Sequence, residues 1–264
     1  MGKAGIGELV WPTIVAHRGA SVSHPENTLE AFAAAISAGA DAVELDVRST
    51  LDGVLVVLHD SDVSATTDGV GHVHRMTLEE VKALDASGGA GRAAVPTLRE
   101  ALELLSGRAG VDIEIKNLPG DPGFDEGREL AAAEIVRLLD ELSFDGPVLV
   151  SSFSWLSIDR VRELNPSIPT GLLTVAAVDP PSALHFVREK GYGFVLPQVD
   201  GLMAAGEPFV RECRTAGVRV GTWTVDDLGR IAELFGWGVD AVVTNDPAAA
   251  VTVRDEVRRR VVQP

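Results

Sequence analysis

The sequence predicts an α/β protein, a (β/α)₈ TIM barrel with a small insertion subdomain between the second strand and its helix. Two observations support this prediction. Short runs of β-branched and apolar residues alternate with longer segments rich in Ala, Leu and Glu, as in repeated βα units around a parallel sheet. Eight such units can be counted, which favours a closed barrel over the alternative, a doubly wound open sheet.

Each strand is predicted from a short apolar run, and each helix from the longer segment that follows it. The predicted strands are residues 13–17, 42–48, 111–116, 148–152, 170–174, 193–197, 218–224 and 241–244. The clearest helices are residues 28–38, 98–105, 129–142, 158–164, 226–234 and 248–262. Asn27 and Thr97 each precede a Glu by three residues, which predicts a capped helix start at both places.

One connection is too long for an ordinary loop between a strand and its helix. It holds a predicted strand at residues 54–58 and a short helix at residues 77–84, capped by Thr77. We therefore expect a small inserted subdomain at residues 51–95, over the mouth of the barrel and within one domain of residues 13–262. The length of 264 residues fits, because α/β barrels of about 250 residues commonly form a single domain.

The composition argues against two classes of partner. The formal net charge is −16, whereas nucleic acids and anionic membranes need a clustered basic surface. No apolar run reaches about 18 residues, so stable membrane insertion is not expected. Residues 1–12 lack the apolar stretch of a signal peptide, and Cys213 is the only cysteine. We therefore expect a cytoplasmic protein without a nucleic-acid partner, and no pattern predicts its oligomeric state.

Acidic residues recur on one face of two predicted barrel strands. Glu44 and Asp46 lie two residues apart, so their side chains share a face of the strand. On the next barrel strand, Glu114 and Lys116 have the same spacing and also share a face. Carboxylates crowded inside a barrel repel one another unless a cation compensates. The pattern predicts one divalent ion, Mg²⁺ or Ca²⁺, held by Glu44, Asp46 and Glu114. The alternative is a solvated polar strand face.

Two histidines end predicted strands, and the carboxyl ends of barrel strands are where catalytic groups are presented. His17 ends the first strand and is followed by Arg18, whose planar guanidinium suits phosphate oxygens. His59 ends the strand of the insertion. A pair of imidazoles can supply a general acid and a general base, although either histidine alone could be structural.

Two aromatic residues are candidates for the wall of a substrate pocket. Phe153 follows the fourth predicted strand, and Trp223 lies near the end of the seventh. Buried packing is the alternative for both, although the indole N–H of Trp223 needs a polar partner.

Four motifs together resemble those of the glycerophosphodiester phosphodiesterases. They are His17-Arg18-Gly19, Pro25-Glu26-Asn27-Thr28, Glu44-Leu45-Asp46-Val47 and His59-Asp60. Weaker matches to short segments later in the chain extend the resemblance to residue 247. The resemblance implies a metal-dependent enzyme on a barrel with a small inserted subdomain.

The resemblance also implies a role for each candidate residue. His17 and His59 would be the general acid and base in an order that it does not fix, and Arg18 would bind the phosphate. Glu44, Asp46 and Glu114 would hold the metal, with Lys116 beside them. In this family the glycerol hydroxyl of the substrate is thought to attack phosphorus. The products would be glycerol 3-phosphate and an alcohol such as choline or ethanolamine.

Two other functions compete with this one. The first is a barrel that binds a phosphodiester without turning it over. The second is an enzyme of the lysophospholipase D type, which acts on lysophospholipids and needs an apolar groove. Val70, Met76 and Leu202 are the sequence candidates for such a groove.

Overall fold

Eight parallel strands close into a barrel in the computed structural model, which describes residues 12–89, 91–125 and 127–262. The barrel strands are β1 (Thr13–His17), β2 (Ala42–Ser49), β4 (Gly110–Ile115), β5 (Val148–Ser152), β6 (Thr170–Thr174), β7 (Phe194–Pro197), β8 (Arg219–Thr222) and β9 (Ala241–Thr244). Closure is complete because β1 pairs in parallel with both β2 and β9. The predicted TIM barrel is confirmed.

A helix follows each barrel strand and covers the outside of the sheet. These helices are α1 (Leu29–Ser37), α3 (Leu98–Leu105), α4 (Leu130–Glu141), α5 (Trp155–Leu164), α6 (Pro180–Lys190), α7 (Val199–Thr215), α8 (Leu228–Trp237) and α9 (Pro247–Val262). Phe32, Leu45, Leu102, Ile113 and Ile135 are fully buried where the first helices meet the strands. Because both faces of the sheet are covered, a polar side chain that points inward needs a partner or a function.

The segment between β2 and α3 holds structure of its own. Strand β3 (Leu55–Val57) pairs antiparallel with the second half of β2, and two 3₁₀ turns (Val63–Ala65 and Val73–Arg75) and helix α2 (Leu78–Lys82) follow. A small buried cluster lies within the segment. It consists of Val56, Leu58, Val63, Val73, Val81, Ala86 and Val95. The strand and the helix lie inside the ranges predicted for them.

Two helix starts illustrate where local sequence patterns hold and where they fail. Thr97 caps α3 through a capping box with Glu100, as predicted. Helix α1, however, is capped by Thr28, whose side chain accepts a hydrogen bond from the backbone N–H of Ala31. The prediction of Asn27 as the cap was wrong, because the Asn27 amide binds a buried carboxylate inside the barrel instead.

Within the described residues, no helix is both long and apolar enough to cross a bilayer. The segment in which no signal peptide was found, residues 1–12, lies outside the described residues except for Pro12.

Candidate active site

Strand register brings the predicted site residues to one level of the barrel interior. His17 of β1 is paired with Glu44 of β2, and Asp46 of β2 is paired with Glu114 of β4. Paired residues on neighbouring parallel strands point to the same face, so these four side chains point into the barrel near its carboxyl end. The interior below them is apolar. It is filled by Val15, Ala42, Leu149, Leu173, Phe194, Leu196, Ala241 and Val243.

Three carboxylates form the centre of the site. One oxygen from each of Glu44, Asp46 and Glu114 lies within 4.8 Å of the other two. All three residues are buried, with exposed fractions of 5%, 1% and 8%. Glu44 Oε1 is buried and accepts no hydrogen bond. A buried carboxylate oxygen without a donor fits the ligand of a hard cation, so this donor set suits one Mg²⁺ or Ca²⁺.

Two cationic side chains partly compensate the clustered negative charge. Lys116, which follows β4, contacts both Glu114 and Asp46, and its Nζ lies 3.1 Å from Asp46 Oδ1. Arg18 Nε lies 3.2 Å from Asp46 Oδ2, while its Nη1 donates to Glu26 Oε1 at 2.8 Å. The backbone N–H of Arg18 donates to Glu44 Oε2 at 2.9 Å. Arg18 has a φ of 54°, in the left-handed region, at the turn that follows β1.

The carboxyl groups respond differently to this environment. Burial, together with the neighbouring Asp46 and Glu114 carboxylates, raises the pKa of Glu44 well above its ordinary value. Burial and Asp46 also raise the pKa of Glu114 to about 7. Burial opposes ionisation of Asp46 too, but Lys116 and Arg18 hold its pKa below the ordinary value. Asp46 is therefore the carboxylate that stays ionised in the cluster.

The two histidines flank this cluster from different elements. His17 ends β1, its Nε2 lies 4.0 Å from Glu44 Oε2, and burial lowers its pKa. His59 follows β3, and its Nδ1 lies 3.2 Å from Asp60 Oδ1. Burial also lowers the pKa of His59, while the negative charge of Asp46 acts against that shift. Because their side chains are 18% and 31% exposed, both imidazoles are accessible from the barrel mouth.

The two predicted aromatic residues form one part of the wall. The rings of Phe153 and Trp223 meet edge to face with centroids 5.4 Å apart, and Lys116 Nζ lies 5.9 Å from the centroid of the Phe153 ring. The indole N–H of Trp223 donates to the carbonyl of Leu196 at 2.9 Å. Both rings are half-buried, so each packs on the barrel and also faces the mouth.

The structure adds site residues that the sequence analysis missed. Asn27 Nδ2 donates to Asp46 Oδ2 at 2.8 Å, and His17 Nδ1 lies 2.7 Å from Asn245 Oδ1. Asn245 follows directly after β9 on the inward-facing side, like Ala241 and Val243. Its place after a predicted barrel strand was the available signal, because catalytic groups gather at the carboxyl ends of barrel strands.

An apolar groove of about 330 Å³ opens beside the Phe153 ring. It is lined by Phe153, Trp155, Leu172, Leu173, Thr174, Val175, Val178, Ser182, Ala183 and Phe186. The groove residues proposed from the sequence were wrong. Leu202 is fully buried in the core, and Met76 packs in the cluster of the β2–α3 segment. Val70 is 84% exposed but is not among the residues that line the groove.

Comparison with known proteins connects this geometry to one family. Residues 17–249 match the model of the glycerophosphoryl diester phosphodiesterase family. A glycerophosphodiester phosphodiesterase of Caldanaerobacter subterraneus is 34% identical over 252 residues, which cover 91% of this chain and 96% of the relative. One of Bacillus altitudinis is 34% identical over 253 residues, which cover 93% and 99%.

Solved structures agree with these relatives. A phosphodiesterase of Oleispira antarctica, in complex with the product sn-glycerol-3-phosphate, superposes with a TM-score of 0.83 at 29% identity and covers 92% of this chain and 97% of its own. A glycerophosphodiester phosphodiesterase of Agrobacterium tumefaciens gives a TM-score of 0.76 at 28% identity, with 91% and 99% covered.

Proposed function

Because the chain belongs to the glycerophosphoryl diester phosphodiesterase family, we propose that it hydrolyses glycerophosphodiesters to glycerol 3-phosphate and an alcohol, using one divalent metal ion. The observation that carries this proposal is the buried cluster of Glu44, Asp46 and Glu114 at the carboxyl end of the barrel, flanked by His17 and His59. We assign this activity to the cytoplasm, on the composition and the single cysteine.

Glu44, Asp46 and Glu114 would hold the ion, either Mg²⁺ or Ca²⁺. The fit rests on the donor set, which is all oxygen, and on the unpartnered Glu44 Oε1. When bound, a divalent cation offsets negative charge that builds up on the phosphoryl oxygens. Its charge also compensates the repulsion among the three carboxylates, which Lys116 and Arg18 balance only in part.

The remaining residues bind the phosphate and move protons. Arg18 and Lys116 place positive charge beside the cluster and would attract the phosphate diester into an otherwise acidic protein. One imidazole accepts the proton of the attacking glycerol hydroxyl as its oxygen bonds to phosphorus, and the other donates a proton to the leaving alkoxide as its P–O bond breaks. Water then opens the resulting cyclic phosphodiester to glycerol 3-phosphate, with the two proton transfers reversed. Burial lowers the pKa of both histidines, so a neutral imidazole is available near neutral pH.

The glycerol side of the substrate is proposed from the relatives. The Oleispira antarctica phosphodiesterase, which shares this fold, binds sn-glycerol-3-phosphate as product. We assign the same product to this chain. We place the leaving alcohol on the side of Phe153 and Trp223, because these two rings form a part of the site wall beside Lys116.

A turnover assay with one glycerophosphodiester tests the proposal. Purified protein is incubated with glycerophosphocholine, with and without Mg²⁺ or Ca²⁺, and glycerol 3-phosphate is measured. We expect release that depends on the metal and stops with a chelator. Binding of the diester without turnover, in the presence of either metal, would instead support the alternative of a non-catalytic phosphodiester-binding barrel.

A second candidate substrate class follows from the apolar groove. Phe153 lies both in the site wall and in the groove, so an apolar chain on the leaving alcohol could extend from the phosphate along Val175 and Val178. Such a chain is present in lysophospholipids, the substrates of a lysophospholipase D. Val175 and Val178 are 49% and 38% exposed, and burial against a substrate chain would remove this apolar surface from water.

Paired variants separate the two substrate classes. Val175→Gln should reduce turnover of lysophosphatidylcholine and leave glycerophosphocholine turnover unchanged. Leu164→Gln is the matched control, because Leu164 is 40% exposed at the far end of α5. Lack of turnover of lysophosphatidylcholine by the parent protein would exclude the second class and leave the first.

A further inference from the structure

Asn245 contacts the ring of His17 and decides which ring nitrogen carries the hydrogen. Register places the two residues together, because Ala16 of β1 is paired with Thr244 of β9. His17 Nδ1 then lies 2.7 Å from Asn245 Oδ1, although the residues are 228 positions apart. An amide oxygen can only accept, so Nδ1 must be the donor. In neutral His17 the other nitrogen, Nε2, therefore carries no hydrogen.

The orientation of the Asn245 amide is itself fixed by Asp226. Asn245 Nδ2 donates to Asp226 Oδ2 at 2.7 Å, and the backbone N–H of Asn245 donates to Asp226 Oδ1 at 2.8 Å. An ionised carboxylate only accepts, so the NH₂ group must face Asp226 and the oxygen must face His17. Ser21 Oγ lies 2.9 Å from the same Asn245 oxygen and 2.9 Å from the carbonyl oxygen of His17. The hydrogen-bond network thus admits one amide orientation.

The free nitrogen of His17 points to the proposed reaction centre. Nε2 lies 4.0 Å from Glu44 Oε2, which belongs to the carboxylate cluster, and the His17 ring is held there through Nδ1. His59 has a different partner, since its Nδ1 lies near the carboxylate of Asp60. The neutral Asn245 amide adds no charge beside His17. Its hydrogen bond sets the tautomer and the ring orientation, and it also acts against the lowering of the His17 pKa by burial.

We propose that Asn245, oriented by Asp226, is a positioning residue that keeps His17 in the Nδ1–H tautomer and directs its Nε2 at the phosphodiester for proton exchange. The inference rests on the proposed function for the identity of the substrate, but the tautomer can be measured without any turnover. Asn245 contacts His17 rather than the substrate, so its loss should lower kcat more than it changes KM.

The tautomer is read from ¹⁵N chemical shifts of histidine-labelled protein, with His17 assigned by its loss in His17→Ala. The parent protein should show a protonated Nδ1 and an unprotonated Nε2 for neutral His17. The opposite tautomer in the parent would overturn the proposal, and this measurement does not depend on the folding of any other variant. Failure of the proposed function would look different, because the parent would then lack diesterase activity while keeping the predicted tautomer.

Variants test the consequence for catalysis. Asn245→Ala should mix the two His17 tautomers and lower kcat about 10-fold to 100-fold with little change in KM, by analogy with metal-bound histidines that lose their second hydrogen-bond partner. The double variant Asn245→Asp, Asp226→Asn keeps a side-chain oxygen at position 245 that accepts from His17 Nδ1. Its new amide at position 226 can donate to position 245, so the double variant should recover most of the lost turnover. The single variant Asp226→Asn should lower kcat as well, because the amide loses its fixed orientation.

Asn165→Ala is the matched control, since Asn165 follows α5 and its side-chain oxygen accepts hydrogen bonds from the backbone and the side chain of Ser167. It should retain parental kcat and the parental tautomer. Parental kcat in Asn245→Ala, or loss of kcat with an unchanged His17 tautomer, would contradict the positioning role.

Discussion

The Lys116 ammonium group lies between two members of the carboxylate cluster, 3.1 Å from Asp46 Oδ1 and in contact with Glu114. All three side chains are buried or nearly so. In the absence of a metal ion, Lys116 is therefore a main source of positive charge for this part of the barrel. Its removal should show how much the carboxylate cluster lowers the free energy of unfolding.

Lys116→Met removes the charge and keeps the length of the side chain. Loss of one partner of a buried ion pair typically costs about 3–5 kcal/mol, so the free energy of unfolding in a chelator should fall by about that amount. Mg²⁺ or Ca²⁺ should restore part of it, because a bound ion replaces the missing charge. Urea unfolding with and without metal measures both values.

Lys190→Met provides the matched control for that experiment. Lys190 pairs with Asp159 at 2.7 Å, but both side chains are about one-third exposed. An exposed pair contributes less than about 1 kcal/mol, so this variant should unfold almost like the parent, with or without metal. Equal destabilisation by the two substitutions would refute the special role of Lys116.

His59 and Glu44 should be separable by their effects on metal binding. His59→Ala removes one of the two imidazoles, and we expect loss of turnover with near-parental metal affinity by calorimetry. Glu44→Ala removes a proposed ligand and should lose both turnover and metal affinity. His185, exposed on α6, supplies the control substitution His185→Ala, which should change neither. Parental activity in His59→Ala would show that its assigned role is wrong.

Asp112 predicts an unusual pH dependence of stability in the metal-free protein. Burial raises its pKa from 3.8 to about 8, although Ser151 donates a hydrogen bond to it at 2.8 Å. Between those values the folded protein holds a proton that the unfolded chain has released. Stability from this group is therefore fully present below pH 3.8 and is lost as the pH rises toward about 8.

Asp112→Asn removes that titration and keeps an acceptor for Ser151. In a chelator, the unfolding free energy of the parent should decline with pH more steeply than that of the variant, and the variant should be the more stable at about pH 8. Urea unfolding across the range measures both slopes. Identical slopes would show that Asp112 is not protonated in the folded state.

Cys213 should be chemically inert while the protein is folded. It is fully buried in α7, and burial raises its pKa to about 12. Thiol reagents react with the exposed thiolate, so the folded protein should resist labelling at mildly alkaline pH and accept one label per chain after unfolding. Rapid labelling of the native protein would contradict this burial.

The sequence predicted the parts of the site that follow from strand alternation. Glu44 and Asp46 share a face because they lie two residues apart, and the same rule places Glu114 beside Lys116. Their convergence needed only the further assumption that the second and third barrel strands are neighbours, which the pairing of Asp46 with Glu114 confirms. The family motifs pointed to the same residues.

Local sequence patterns could not predict contacts between residues that are distant in the chain. Asn27 fitted a helix cap, because a cap is a local motif, whereas its partner Asp46 lies 19 residues away. The contact between His17 and Asn245 exists only because the first and last strands close the barrel. Helix α7 was not among the clearest predictions, and in the structure it is interrupted at Gly206, with a φ of 73°, shortly before Pro208.

Strand β3 stands outside the ring of eight strands, yet His59 follows it. The ring closes through the pairs of β1 with β2 and β9, so its hydrogen bonding does not require β3. The closed ring therefore carries His17 and the three carboxylates, and one antiparallel strand added at its rim positions the second imidazole.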